Sequence, residues 1–246
     1  MIDMHTHLDL YPDALQIVEK VNAQNIFTLC VTTSPRAWLA TKKVFAKYNN
    51  IHVALGLHPE IAKSKANEIK LFLDLIKETR FIGEVGLDGS KNFESTYSLQ
   101  KEIFTNILKE CSKQGHKILS VHARNSTDDV MGCIKENLVN CKVIIHWFSG
   151  TEKQLFKAVA ADYWFSINPK MCKSKKGQEI IKKIPLDRIL LESDGPFVTF
   201  NNKFFYPWET KNIIQEVSNL ISIDEQELTE IIKRNLARLL EFKNTI

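Results

Sequence analysis

The chain has 246 residues, of which 44% are hydrophobic and 25% are charged, and its formal net charge is +4 at neutral pH. These values are typical of an ordinary globular protein. No apolar run approaches the roughly 20 residues that span a bilayer, and the N-terminus lacks the basic segment and apolar core of a signal peptide, so we expect a cytoplasmic protein that does not enter a membrane.

Short apolar runs alternate along the chain with segments in which apolar residues recur at helical spacing. The predicted strands are Met1–Met4, Ile26–Val31, Ile51–Leu55, Phe81–Gly83, Ile118–Val121, Val143–Ile145, Tyr163–Ile167 and Ile189–Leu191. The predicted helices are Leu15–Ala23, Ala37–Tyr48, Ile69–Lys77, Leu99–Lys113, Asp128–Asn137, Glu152–Ala160, Gly177–Ile184 and a long tail from about Glu209 to Phe242.

Eight strands that alternate with helices predict an α/β protein with a parallel sheet and helical crossovers. At this chain length, eight such units favour a closed (β/α)8 TIM barrel over a doubly wound open sheet. No Pro-rich or Gly/Ser-rich stretch resembles a linker. We therefore predict a single domain that covers residues 1–246.

Two histidines close to the N-terminus are the first candidate metal ligands. His5 and His7 are separated by one residue, so in an extended strand both side chains point to one face. Two imidazoles on one face can bind one cation, because imidazole suits zinc, iron, copper and nickel. Histidines on an ordinary surface strand are the alternative interpretation.

More potential ligands follow later strands, at the carboxyl ends where barrel active sites are built. His58, Glu84, His122, His146 and Asp194 follow predicted strands three, four, five, six and eight. Taken singly, His122 could be a core imidazole, Glu84 a solvated loop carboxylate and Asp194 a helix N-cap. Their occurrence together at one end of one barrel favours a metal centre.

The number of these ligands predicts two cations. Four histidines and two carboxylates exceed what one cation with an open position needs, and they suit two cations that clamp an in-line displacement. We predict Glu84 as the bridge, one cation with His5, His7 and Asp194, and the other with His122 and His146. No lysine ends strand four, which favours a carboxylate-bridged phosphodiesterase over amide- or triester-cleaving hydrolases.

Two further residues are candidates for contact with a phosphate. Arg124 lies two residues beyond His122, and its guanidinium can hold two phosphate oxygens and stabilise the charge that grows on them. An ion pair with Asp128 is the alternative role of Arg124. His58 could donate a proton to the leaving oxygen or bind the phosphate.

Two segments could form the rim of the site. Lys170, Lys173, Lys175 and Lys176 are either a solvated face or a contact for a phosphate backbone, and we take Lys170 and Lys173 as substrate-binding candidates. Five aromatic residues lie within Phe200–Trp208. They could stack bases at ~1–3 kcal/mol each, pack down as a lid, or bind a protein partner.

The order of the motifs resembles the TatD family of metal-dependent deoxyribonucleases. The chain contains Asp-x-His-x-His-Leu-Asp, Gly-x-His-Pro, Gly-Glu-x-Gly-Leu-Asp, His-x-Arg, His-x-Phe-Ser-Gly and Glu-Ser-Asp-x-Pro. The resemblance extends from Ile2 to about Leu240 and implies a TIM barrel whose divalent-metal centre cleaves DNA, often as a 3′→5′ exonuclease on single strands. It implies as metal ligands His5, His7, Glu84, His122, His146 and Asp194.

The same resemblance places His58 and Arg124 near the substrate phosphate, so the predicted catalytic residues are Glu84, Asp194, His58 and Arg124. The sequence departs from the family at the substrate rim, where Gly89 stands after Gly-Leu-Asp in place of the common tyrosine. The segment after Asp194 also lacks the usual Arg-Gly-containing loop.

Three functions therefore remain open. The favoured one is a monomeric, two-metal deoxyribonuclease that uses Mg²⁺, Mn²⁺ or Zn²⁺ and acts on single-stranded DNA. The second is a metallohydrolase of a small phosphoester or cyclic amide. The third is a subunit that works only within a larger complex and contacts a protein partner through Phe200–Trp208.

Overall fold

A computed structural model describes residues 1–241, in which eight parallel strands form a ring surrounded by helices. The strands are β1 (Ile2–Thr6), β2 (Phe27–Val31), β3 (Ile51–Ala54), β4 (Phe81–Asp88), β5 (Ile118–Arg124), β6 (Lys142–His146), β7 (Trp164–Ile167) and β8 (Ile189–Leu191). A short antiparallel hairpin follows, with β9 (Thr199–Phe200) and β10 (Lys203–Phe204). The predicted domain continues to residue 246, but residues 242–246 lie outside the described part of the chain.

The ring is closed by hydrogen bonds at two seams between the β1–β3 and β4–β8 sheets. At the first seam, the backbone N–H of Gly83 donates to the carbonyl of Leu55 at 2.9 Å. At the second seam, the N–H of Asp194 donates to the carbonyl of His5 at 2.9 Å. Closure leaves no exposed barrel edge, and it places the end of β8 beside the end of β1. The predicted (β/α)8 barrel is confirmed.

Helices connect the strands, as parallel pairing requires. Within residues 1–241 they are α1 (Ala14–Ala23), α2 (Pro35–Phe45), α3 (Ala62–Lys65), α4 (Ile69–Leu75), α5 (Tyr97–Gln114), α6 (Thr127–Asn137), α7 (Glu152–Ala160), α8 (Pro169–Lys173), α9 (Lys175–Ile181), α10 (Thr210–Ile221) and α11 (Glu225–Leu240). Local sequence explains their starts: Ser34 caps α2 ahead of Pro35, and Thr151 with Gln154 forms a capping box on α7. No helix of residues 1–241 is long and apolar enough to cross a bilayer.

The predicted helical tail from Glu209 to Phe242 is two helices, α10 and α11, and Phe242 lies outside the described residues. The break occurs at Ser222, whose backbone is left-handed with φ 56° and ψ 46°. Asp224 then caps α11 by accepting from the backbone N–H groups of Gln226 and Glu227. Apolar residues continue at helical spacing across this break, so periodicity alone predicted one helix.

Four strands extend past their predicted carboxyl ends, and these extensions build the site: β1 ends at Thr6 and β6 at His146, and the longest extensions are those of β4 and β5. Strand β4 continues past Gly83 to Asp88, and β5 continues past Val121 to Arg124. In β4 and β5 the strand begins with two apolar residues and ends on a charged one, and in β6 three apolar residues, Val143 to Ile145, precede His146. Buried histidines and carboxylates therefore collect at the carboxyl end of the barrel.

Candidate metal centre

Five histidines surround the carboxylate of Glu84, which lies in β4 and is 2% exposed. They are His5 in β1, His7 directly after β1, His58 after β3, His122 in β5 and His146 at the end of β6. Because all these strands are parallel, their carboxyl ends meet at one end of the barrel. Residues that are far apart in sequence therefore converge on one glutamate.

The two oxygens of Glu84 face different groups of imidazoles. Its Oε1 lies 2.7 Å from Nδ1 of His122 and 2.9 Å from Nε2 of His146. Its Oε2 lies 3.2 to 3.3 Å from the Nε2 atoms of His5, His7 and His58. A carboxylate with one oxygen toward each of two ligand groups is suited to bridge two cations.

A bulge in β4 directs Glu84 toward this cluster. Ile82 pairs with Leu119 and Val85 pairs with Val121, so β4 has one more residue than β5 over this interval. Such an extra residue breaks the alternation of a strand and re-aims a side chain. Pairing between β1 and β2 shifts in the same way between Asp3 and Thr6, the interval that contains His5.

Asp194 lies beside the first group of ligands. Its Oδ1 is 3.8 Å from Nε2 of His5, and its side chain is 7% exposed. Its backbone has φ 49°, a left-handed conformation that is rare for a residue with a β-carbon. The hydrogen bond to the carbonyl of His5 helps to hold this conformation at the closing seam, as is typical of functional sites.

Hydrogen bonds from a surrounding layer orient the histidines. Oδ2 of Asp88 lies 2.9 Å from Nε2 of His122, and Oγ of Ser120 lies 2.8 Å from Nδ1 of His5. Oε1 of Glu192 lies 3.6 Å from Nδ1 of His146, which is an ionic contact and not a hydrogen bond. Partners of this kind fix the tautomer and the orientation of a metal-binding imidazole.

The donor set fits a divalent cation. Nε2 of His5 is buried and faces two carboxylates, yet it has no hydrogen-bond partner, a condition that costs about 1–3 kcal/mol. Four buried carboxylates, Glu84, Asp88, Glu192 and Asp194, pair with histidines and with no lysine or arginine of residues 1–241. Bound cations would be coordinated by Nε2 of His5 and would balance the negative charge of the carboxylates.

The pKa values of the cluster reflect the same imbalance of charge. Burial alone would raise the pKa of Glu84, but the positive charge of His58, His146 and His5 holds it well below its usual value. Burial lowers the pKa of His146, but Glu84 and Glu192 outweigh burial and raise that pKa well above its usual value. Burial raises the pKa of Asp194 to about 7. In this state protons on histidines supply the charge that a cation would supply, so protons and cations compete.

A cavity of about 680 Å³ opens onto the cluster. Arg124 is exposed and lines its wall together with His58, as expected for residues that would meet a substrate. The alternative that Arg124 pairs with Asp128 is wrong, because Asp128 pairs with Lys157 at 3.0 Å and bonds to Gln154.

The predicted lysine contacts lie away from this cavity. Lys170 donates to the carbonyl of Thr199 at 2.7 Å, and Lys173 pairs with Glu216 at 2.9 Å. Neither lysine lines the cavity, whereas Lys176 of the same cluster does. Contact of Lys170 and Lys173 with a longer substrate stays a prediction.

The aromatic segment Phe200–Trp208 packs down on the barrel and does not line the cavity. The Tyr206 ring stacks on Trp208 with centroids 4.5 Å apart and on Tyr11 at 5.5 Å. Lys20 places its Nζ 3.8 Å above the Trp208 ring. The stacked faces of Tyr206 and Trp208 are therefore covered. Binding of a protein partner by the segment stays a prediction.

Sequence reasoning assigned no role to several residues of the site. Asp88 and Glu192 lie within the quoted motifs, and Ser120 precedes His122 by two residues, the spacing that places both on one strand face. Phe197, two residues after Gly195, also lines the cavity. The motifs contained Asp88 and Glu192, and strand spacing pointed to Ser120, whereas nothing in the sequence marked Phe197 as exposed.

Comparisons with known proteins agree with this arrangement. A model of the family described as TatD related DNase matches residues 2–241. An uncharacterized metal-dependent hydrolase of Buchnera aphidicola is 30% identical, over 97% of this chain and 98% of the relative. Human deoxyribonuclease TATDN3 is 26% identical, over 97% of this chain and 94% of the relative. The crystal structure of YjjV, a TatD homolog from Escherichia coli, superposes with a TM-score of 0.85 at 21% identity, over 97% of each chain.

Proposed function

This chain belongs to the TatD-related DNase family of metal-dependent hydrolases, and from that premise we propose that it is a deoxyribonuclease with two divalent cations. The observation that carries the proposal is the carboxylate of Glu84, whose two oxygens face separate groups of imidazoles. Asp194 would complete the first group. Two bridged cations can stabilise both the attacking and the leaving oxygen when a phosphodiester is cleaved in line.

The cations would be Mg²⁺, Mn²⁺ or Zn²⁺, because imidazole and carboxylate ligands accept all three. The proposed ligands are His5, His7 and Asp194 on one side of Glu84, and His122 and His146 on the other. When bound, the cations would polarise the phosphodiester and stabilise charge on the attacking and leaving oxygens.

Three side chains of the cavity would handle the substrate and its protons. Arg124 would donate to the phosphate oxygens that do not leave, because its guanidinium is exposed on the cavity wall. Asp194 would accept the proton of the attacking water. His58 accepts from the N–H of Glu60 at its Nδ1, so the neutral ring carries its proton on Nε2, which lies 3.2 Å from Oε2 of Glu84. From this position His58 would donate a hydrogen bond to the substrate phosphate without giving up that proton.

We propose single-stranded DNA as the substrate and cleavage from the 3′ end. Glu84 lines the cavity and is 2% exposed. A strand end can enter such a cavity, whereas the interior of a duplex would bring its second strand against the wall. Human TATDN3, which is 26% identical, is named a deoxyribonuclease, and this supports DNA as the substrate class.

A small phosphoester is the second candidate. The volume of about 680 Å³ lies within the roughly 300–1,000 Å³ range of small-molecule sites. A closed mouth around the cations would favour this candidate, and an open basic rim favours DNA. Arg124 and Lys176 on the cavity wall are both exposed, so we place DNA first.

The test is release of labelled nucleotides by metal-stripped protein to which Mg²⁺, Mn²⁺ or Zn²⁺ is restored. We expect cleavage of single-stranded DNA that requires metal and is absent in Glu84→Gln, because this change removes the bridging charge. Glu179→Gln, which alters an exposed carboxylate on α9, should cleave like the wild type. Strands labelled at the 5′ or the 3′ end show the polarity.

A folded, metal-loaded wild-type protein that leaves all DNA intact would refute the proposal. Hydrolysis of small phosphodiesters by that same sample would then establish the second candidate. Equal cleavage by the wild type and Glu84→Gln would indicate a contaminating nuclease and would also count against the assignment.

A further inference from the structure

One large apolar side chain is exposed at the cavity that leads to Glu84. Phe197 is 61% exposed and lines this cavity. Within residues 1–241, Phe156 on α7 is the other aromatic side chain that is more than half exposed, and it does not line the cavity. Exposed apolar side chains are common on protein surfaces. Phe197 differs from an ordinary exposed side chain in the way its backbone is held and in the imidazole that its ring contacts.

The backbone on both sides of Phe197 is held by hydrogen bonds. The N–H of Val198 donates to the carbonyl of Asp194 at 3.0 Å, and Val198 itself is fully buried. The carbonyl of Gly195 accepts from the N–H of His7 at 2.8 Å. The exposed ring therefore belongs to a segment that hydrogen bonds already hold in place. Because the segment is already ordered, contact with a ligand costs little conformational entropy of the protein.

The orientation of the ring leaves room for a planar ligand. Phe197 contacts the imidazole of His7 at 85°, with 5.0 Å between ring centroids, so the two rings are not stacked. In the Phe200–Trp208 segment, by contrast, Tyr206 is stacked between Tyr11 and Trp208. Phe197 is therefore an aromatic surface that is both open and adjacent to a proposed metal ligand.

We propose that Phe197 is the base-stacking residue of this site. The inference rests on the proposed function: a phosphate that reaches the ligands around Glu84 carries its base within one sugar of its own position, close to a ring that touches His7. Stacking on an aromatic side chain is tolerant of sequence, because every base has a planar face.

The proposal also gives a reason for a preference between substrates. A base in a duplex is paired and stacked on its neighbours, and it must leave them before it can stack on a side chain. A terminal base of a single strand is already free. Phe197 would therefore discriminate single-stranded from double-stranded DNA, without selecting one base over another.

Binding is measured separately from cleavage, with hydrolysis-resistant phosphorothioate single strands and fluorescence anisotropy. One strand is intact, and two others lack the base at the last or the penultimate 3′ position. Stacking contributes enough for a loss of about 5- to 150-fold in Kd. We expect the wild type to bind one of the abasic strands more weakly by a factor in this range.

Three variants of the protein complete the experiment. Phe197→Leu keeps an apolar side chain beside His7 but lacks the planar face, so it should bind the intact strand as weakly as the wild type binds the abasic one. Phe197→Trp should restore affinity and discrimination. Phe156→Ala, the matched exposed control, should behave like the wild type. Equal metal affinity in Phe197→Leu and the wild type shows that His7 has kept its position.

Equal binding of intact and abasic strands by the wild type would overturn the proposal, as would discrimination that persists in Phe197→Leu. Hydrolysis of unmodified DNA by the same samples separates this result from the proposed function. A wild type that cleaves DNA without discriminating abasic strands contradicts stacking alone. A wild type that neither binds nor cleaves DNA contradicts both.

Discussion

Replacement of Asp88 by asparagine is the sharpest test of how the metal centre is held. Oδ2 of Asp88 lies 2.9 Å from Nε2 of His122, and Oδ1 accepts from the N–H of Ser90 at 2.8 Å. The side chain is fully buried. Asparagine has the same size and can keep the contact with Ser90, but it carries no negative charge for His122. The substitution therefore removes one interaction with little change in volume.

The expected loss of metal affinity follows from the strength of the hydrogen bond between Asp88 and His122. A buried hydrogen bond to a charged group contributes about 1.5–3 kcal/mol, which corresponds to roughly 10- to 150-fold in an equilibrium constant. Loss of such a partner behind a metal ligand typically lowers metal affinity by about 10- to 100-fold. We therefore expect Asp88→Asn to bind Mn²⁺ or Zn²⁺ about 10- to 100-fold more weakly than the wild type.

The assay is isothermal titration calorimetry of metal-stripped protein. Asp129→Asn is the matched control, because Asp129 accepts hydrogen bonds from Tyr97 and Lys101 at the surface and should leave metal affinity within twofold of the wild type. The Tm of each metal-free variant distinguishes weak binding from a damaged fold. If Asp88→Asn binds metal as tightly as the wild type, the role of Asp88 in orienting His122 is refuted.

Metal at 100 times its Kd should stabilise the wild type by about 2.7 kcal/mol and raise its Tm by about 5–10 °C in scanning calorimetry. The Tm of Glu84→Gln should not change at the same metal concentration. An unchanged wild-type Tm would contradict a metal site here. Gly86→Ala should lower the free energy of unfolding, measured in urea, by about 1–3 kcal/mol. The reason is that Gly86 has φ 141° and a β-carbon there would lie 2.1 Å from the carbonyl oxygen of His122. A urea midpoint equal to that of the wild type would contradict this clash. Arg124→Ala should raise the KM for DNA and lower the salt dependence of binding by about one unit of slope, while calorimetric metal affinity stays unchanged; an unaltered salt dependence would exclude a phosphate contact.

Much of the candidate site could be predicted from the sequence, because in a parallel barrel the residue that follows each strand lies at the same end of the molecule. His5, Glu84, His122 and His146 each follow an apolar run, and parallel strands bring such positions to one end. The same reasoning missed Asp88. Its contact with His122 depends on the extra residue in β4 near Glu84, and an apolar pattern does not reveal a bulge.

The rim of the site could not be predicted, because local composition does not show which side chains face each other. Lys170 and Lys176 belong to one cluster in the sequence, yet only Lys176 of the two lines the cavity. The aromatic segment after Phe200 contains many rings, and packing against Tyr11 covers them. Phe197 stands alone in the sequence and is exposed at the cavity.

The sequence by itself determined the barrel, the family resemblance and the set of residues proposed to bind metal, because strand periodicity and motif order are local properties of the chain. Only the tertiary structure decided that both oxygens of Glu84 face imidazoles, that Asp88 and Glu192 support those imidazoles, and that Phe197 is open to the cavity. Those features depend on strand register, on closure of the ring between β8 and β1, and on packing between distant segments.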